Sequence, residues 1–112
     1  TAWELYYPPF AAAVEAGAGA FMCSYNKVNG THACENPDIL NRDLKSIMGF
    51  RGFVMSDWGA THSTQAVTAG LDQDMPGGND RLFLAADLAS SYASAADEAV
   101  LRILAAMYHL RL

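Results

Sequence analysis

The chain has 112 residues, 52% of them apolar by type and 17% charged, which suits one small domain with a packed core and not a disordered segment. Its formal charge is −5 and its seven Lys and Arg residues are scattered, which argues against a nucleic-acid partner. No stretch reaches the roughly 18 to 20 apolar residues of a membrane-spanning helix, and no basic start precedes an apolar block as in a signal peptide.

Trp3 to Tyr7 reads as the tail of a helix, interrupted by Pro8-Pro9. Proline in a first turn suits a new helix through Phe10 to Ala16, which Gly17 and Gly19 break. Ala20 to Tyr25 lacks polar alternation and reads as a short strand covered on both faces. Asn26 to Glu35 is a polar loop with a turn at Asn29-Gly30. Cys23 and Cys34 stand eleven apart without CxxC spacing, so they are poor zinc candidates. They read either as two buried thiols or as a disulfide closing a short loop.

Asn36-Pro37 opens a helix, Asn as cap and Pro in the first helical position. Leu40, Leu44, Ile47 and Met48 give it one apolar stripe, and Gly49 stops it. Phe53-Val54-Met55 forms a second buried strand ending at Ser56-Asp57-Trp58. A helix over His62 to Ala69 stops at Gly70, and Leu71 to Met75 reads as a third short strand ended by Pro76-Gly77-Gly78. The remainder reads as helical, with Val100, Ile103, Leu104, Met107 and Tyr108 in a stripe at helical spacing.

Alternating helices and strands imply βα units and a parallel sheet. Three such units alone would leave strand edges and one face bare, whereas a closed (β/α)8 barrel needs about 250 residues. The fold is therefore expected to be α/β, a partial (β/α)8 barrel of about its last three βα units. The opening Thr1-Ala2-Trp3, without an initiator Met, adds the expectation of a segment from a longer protein. Active-site residues of such barrels lie at the C-terminal strand ends. Here those ends are Tyr25, Asp57-Trp58 and Asp74-Met75. A carboxylate beside an indole suits a sugar, the acid for chemistry and the ring for stacking.

The stretches YYPPFAAAVEAGAGAFMCSYNKVNG, ACENPDILNRDLKSIMGFRGFVMSDWGATHS and AGLDQDMPGG resemble, in order and spacing, the nucleophile region of family 3 glycoside hydrolases. AADEAVLRILAAMYHLRL is similar to the helix that closes their first domain. The resemblance implies that residues 1–112 are the C-terminal portion of the N-terminal barrel domain of a retaining β-glucosidase. It implies Asp57 as nucleophile, forming a covalent glycosyl-enzyme, with a second, protonated carboxyl group roughly 5 Å away. Tyr25 matches a tyrosine near the nucleophile, Met22 a residue lining the glucose subsite and Trp58 the aromatic on the aglycone side. Trp directly after the nucleophile looks like the glucosidase branch; the family also holds β-xylosidases.

The family's acid/base Glu comes from a following α/β domain, and an upstream Lys-His pair helps grip the sugar; neither is in this sequence. The isolated chain is thus expected to be inactive on a β-glucoside or cello-oligosaccharide, the substrates of enzymes active in cellulose degradation. A non-catalytic sugar-binding or scaffold module is the rival reading. No metal or organic cofactor is implied, since glycosyl transfer to water needs only carboxylates and positioning. Cys23 to Cys34 resembles a disulfide-closed loop of secreted fungal members, and Asn29-Gly30-Thr31 is an N-glycosylation sequon. Both point to an extracellular or periplasmic protein. Asp74 reads as structural, His32 and His62 as solvated or capping, and His109 as aiding the end of the last helix. Asp38, Asp43, Asp72, Asp80, Asp97 and Glu98 read as helix-start or surface charges.

Overall fold

The structure, a computed structural model, describes residues 1–78 and 81–112, so the expectation for Asp80 lies outside the described residues. A short helix with wide turns, α1 (Ala2–Tyr6), leads into α2 (Pro8–Glu15), whose first turn takes both prolines because no backbone N–H is needed there. Gly17, at φ +87°, turns the chain into β1 (Ala20–Cys23). The expected loop then contains a small hairpin, β2 (Lys27–Val28) paired with β3 (Thr31–His32), and a single 3-10 turn over Ala33–Glu35. Its bend at Asn29-Gly30 has positive φ at both residues, the geometry that Asn and Gly tolerate best.

Helix α3 (Asp38–Ile47) begins as the sequence predicts. The Asn36 side-chain oxygen accepts the N–H groups of Asp38 (3.0 Å) and Ile39 (3.3 Å), satisfying two donors that a helix start leaves orphaned. β4 (Phe53–Ser56) pairs in parallel with β1, Ala20 opposite Phe53 through Cys23 opposite Ser56. The crossover between them holds the hairpin and α3. Gly52 sits against Gly19 so closely that a Cβ there would collide with the Gly19 carbonyl. Downstream come α4 (Ala66–Ala69), α5 (Ala85–Ser91) and α6 (Ala93–Leu110).

Several expectations are corrected. Helix α4 is one turn, half the length expected over His62 to Ala69. Among the described residues, Leu71 to Met75 forms one bridged pair, Gln73 with Met55. It nevertheless runs beside β4 through backbone bonds from Gln73 N–H to Val54 O (3.0 Å) and Ser56 N–H to Gln73 O (2.9 Å). The ladder is interrupted because Asp72 N–H also donates to Val54 O, at 2.9 Å. The strands are covered on one face. Cys23, Val54 and Ser56 are buried under α3 and α4, while Met22 on the opposite face is exposed.

Helix α6 buries Ala99 and Ala106, with Arg102 and Ile103 half-buried between them. That face is rotated from the stripe of large apolar side chains, and Val100, Leu104, Met107 and Tyr108 stay exposed. Small alanines let the helix approach closely enough for Arg102 to donate to the carbonyls of Phe50 and Gly52, each at 3.2 Å.

Two acids expected at the surface are buried. Asp43 accepts the Tyr7 hydroxyl (2.9 Å) and Arg42 Nε (2.7 Å). The Arg42 guanidinium, opposed by burial and helped by Tyr7, holds its carboxyl below the usual range. Asp72 lies against Lys45 Nζ at 2.8 Å with both side chains almost wholly enclosed, and its other oxygen accepts Val54 N–H at 2.7 Å. Neither partner is a sequence neighbour, so local pattern could not reveal them. Burial raises the Asp72 carboxyl and lowers the Lys45 ammonium, outweighing their mutual attraction.

Asp72→Ala or Lys45→Ala alone strands a buried charge and is expected to cost about 3–5 kcal/mol in denaturant unfolding. Asp72→Leu combined with Lys45→Met should recover part of that, staying short by about 1–3 kcal/mol because Val54 N–H is left without an acceptor. A double variant no better than either single one would refute the pairing.

Candidate active site

The site grows from the C-terminal ends of β1 and β4. Ladder pairing runs past the last strand residues, with Asp57 N–H donating to Cys23 O at 3.0 Å. Alternation along β4 puts Asp57 on the same open face as Phe53 and Met55, and Met55 is the register partner of Met22. Beyond Asp57 the chain reverses in a four-residue turn, Ala60 N–H to Asp57 O at 3.0 Å, with Gly59 at φ +76°.

Within that turn Trp58 N–H donates to Asp57 Oδ1 at 2.6 Å, which fixes the carboxylate by a hydrogen bond to its charged form. Tyr25 reaches across from the end of β1, its hydroxyl donating to the Trp58 carbonyl at 2.9 Å. The structure therefore brings together Tyr25, Asp57 and Trp58 as one group. Trp58 is 67% exposed and Tyr25 55%, so neither ring packs into the core of this chain. Met22 is 53% exposed on the same side of the sheet. The Tyr25 phenol is raised above its ordinary value, first by partial desolvation and then by the neighbouring Asp57 carboxylate, whose negative charge disfavours a phenolate.

Two cavities stand out among the described residues. One, of about 300 Å³, lies on the covered side of β1 between α2 and α3, with Tyr6, Phe10, Phe21, Leu44 and Asp43 in its wall. The other, of about 370 Å³, lies between the 3-10 turn and α4 and is lined by Thr31, Glu35, Ser63 and Gln65 among others. Asp57 lines neither of them and lies on the open face of the sheet.

Asp74 is half-buried in the segment beside β4. His109 lies in the last turn of α6, and Asp38 in the first turn of α3 pairs with Arg42 at 2.8 Å. Glu98 pairs with Arg102, and Asp97 is exposed. His32, expected to be solvated or capping, is half-buried and makes no side-chain cap bond. It stacks on His62 with ring centroids 3.8 Å apart, and its Nδ1 is buried without a partner in the described chain. Cys23 and Cys34 are joined by a disulfide, Cα to Cα 5.2 Å, and with the following turn it lays the hairpin over the His62 loop. Glu35 accepts His62 N–H there at 3.2 Å. The residue that sequence reasoning passed over is Ser56. Its position in the SDW triplet was visible, but its bonds to Met75, nineteen residues on, were not.

Tyr25 is expected to titrate above the ordinary 10.0, after an unrestrained tyrosine, because the folded site favours the protonated phenol. Asp57→Asn removes the opposing charge and should move the midpoint back toward that value, read by ultraviolet absorbance or NMR of the phenol carbon. A midpoint indifferent to Asp57→Asn would break the link between the two side chains.

Residues 3–105 match the profile of the Glycosyl hydrolase family 3 N terminal domain. The probable beta-glucosidase L of Aspergillus terreus is 48% identical over 122 aligned residues, covering 98% of this chain and 17% of that protein. The probable beta-glucosidase G of Neosartorya fischeri is 57% identical over 79 residues, 70% of this chain and 10% of that one. Among solved structures, the beta-D-glucoside glucohydrolase from Trichoderma reesei superposes with a TM-score of 0.88 at 48% identity, over 95% of this chain and 16% of its own. DesR, a beta-glucosidase from Streptomyces venezuelae in complex with D-glucose, gives 0.84 at 36% identity, over 96% and 16%. The chain thus spans about a sixth or less of the length of the relatives it resembles.

Proposed function

This chain belongs to glycosyl hydrolase family 3, and we propose that it is the nucleophile-bearing part of a retaining β-glucosidase, with Asp57 attacking the anomeric carbon. The observation that carries this reading is the placement of Asp57. It sits at the end of a parallel strand on the open face of the sheet, its carboxylate held by Trp58 N–H and flanked by exposed aromatic side chains.

In the reaction an Asp57 oxygen bonds to the sugar carbon as the bond to the leaving oxygen breaks, and a second carboxyl group protonates that oxygen. Water then cleaves the glycosyl-enzyme with the second group acting as base. Tyr25 orients the turn that carries the nucleophile, Trp58 stacks on the aglycone side and Met22 lines the glucose side. The substrate is a terminal β-glucoside or cello-oligosaccharide. In this reading residues 1–112 are about the last three βα units of the barrel. The rest of the barrel and a following α/β domain with the acid/base Glu complete the pocket, which accords with Asp57 lining neither cavity described above.

The Cys23–Cys34 link and the sequon at Asn29, exposed on its hairpin turn, favour a secreted protein.

In the full-length protein a 2-deoxy-2-fluoroglucoside is expected to add one sugar mass to the peptide containing Asp57. Asp57→Asn should lower kcat by at least about a thousandfold with the fold intact. The 112-residue chain alone should not turn over an aryl β-glucoside. A label on another peptide, or full activity of Asp57→Asn, would move the nucleophile elsewhere.

A further inference from the structure

Ser56 immediately precedes Asp57 and its side chain is 0% exposed. It points to the covered side of the sheet, away from the open face, so it does not touch a substrate bound there. Both its hydrogen-bonding capacities are used on one residue. Its Oγ accepts Met75 N–H at 2.8 Å and donates to Met75 O at 3.3 Å. The same Met75 carbonyl accepts Gly59 N–H at 2.9 Å.

Gly59 N–H and Trp58 C=O belong to one peptide unit, and the Trp58 carbonyl is held at its other end by the Tyr25 hydroxyl. That peptide plane is thus clamped between the end of β1 and the segment beside β4. The preceding peptide carries the Trp58 N–H that holds Asp57 Oδ1. A planar peptide fixed at both ends leaves its neighbour few orientations. The clamped plane meets the preceding one at the Trp58 Cα, so the position of Met75 bears on the direction of the Trp58 N–H through that single joint.

We propose that Ser56 is a positioning residue for the nucleophile, acting through Met75 and the Trp58–Gly59 peptide to set the attack angle of the Asp57 carboxylate. The proposal rests on the assignment of Asp57 as nucleophile. Loss of the hydroxyl frees the Met75 end of the clamp, so the Asp57 carboxylate samples more orientations while the sugar-facing side chains stay in place. The step that suffers is formation of the glycosyl-enzyme, since misplacing a reacting group by an ångström costs up to about a hundredfold.

The test uses the full-length enzyme with Ser56→Ala and Ser56→Cys, the second keeping the volume with a much weaker donor. Inactivation by a 2-deoxy-2-fluoroglucoside and steady-state hydrolysis of an aryl β-glucoside are measured on protein that passes a thermal-unfolding check. The expected result is a 10- to 100-fold slower glycosylation rate and kcat for Ser56→Ala, a smaller loss for Ser56→Cys and a KM within about threefold of the parent. Either variant alone carries the test if the other does not fold. A parental glycosylation rate, a change confined to KM, or failure of both to fold would overturn the positioning role. The label on the parent separates this from the underlying assignment. If it lies on the Asp57 peptide while the variants react normally, the nucleophile stands and only the role of Ser56 falls.

Discussion

The arrangement of the whole site depends on one buried junction, the Asp72 carboxylate held between Lys45 Nζ and Val54 N–H. Three pieces meet there: Lys45 comes from α3, Val54 from β4, and Asp72 from the segment beside β4. Hydrophobic contact among Leu40, Leu44, Val54, Ala66 and Leu71 presses these elements together, each large side chain worth about 1.5–3 kcal/mol, but it is not directional. The junction supplies direction. Taking both charges out of water costs several kcal/mol per ion, and burial accordingly pushes both groups toward neutrality. What is gained is a fixed offset between β4 and the segment beside it, three residues upstream of Asp57. That offset places Met75 level with Ser56 and Gly59.

The two faces of the sheet follow from the same construction. On the covered face Phe50, Val54, Leu71 and the Cys23–Cys34 link form a closed core. The open face carries Met22 and Trp58, and the outside of α6 carries Leu101, Leu104 and Tyr108, all exposed. A short parallel sheet covered on one side is an incomplete object. In relatives whose chains are several times longer, the matched portion covers only 16% to 17% of the length. The exposed apolar surface and the unwalled carboxylate are what the proposed reading as part of a larger barrel would explain.

How much could be read from the sequence divides by range. Features decided within one turn of chain were legible: the Asn36 cap, the prolines opening α2, the glycine turns, and strands around Phe21 and Val54. The place of Asp57 at a strand end beside an indole was legible, and the surrounding motifs resemble a family; its role as nucleophile is proposed. Features decided across the fold were not. Asp43 and Asp72 looked like surface acids because their partners, Tyr7 and Val54 N–H, lie 36 and 18 residues away. His32 looked solvated because its stacking partner comes from another loop. The α6 stripe misled for a different reason. Periodicity finds the large apolar face, whereas close docking within this chain selected the alanines.

The site also separates what must be rigid from what must be reachable. Backbone groups hold the turn that carries Asp57, the proposed nucleophile: Cys23 O under Asp57 N–H, Asp57 O over Ala60 N–H and Met75 O against Gly59 N–H. Such bonds survive most side-chain substitutions, so the turn's path is secured by the fold and not by the identity of its exposed residues. Side chains facing the open side, Met22 and Trp58, can then vary without moving the carboxylate, and under the proposed function they would vary with the sugar or aglycone. The exceptions are the side chains that bond to the turn or to the segment it rests on, Tyr25 and Ser56, one from each side of the sheet end. If Asp57 is the nucleophile, specificity can therefore change at the surface of this site while the direction of attack stays fixed beneath it.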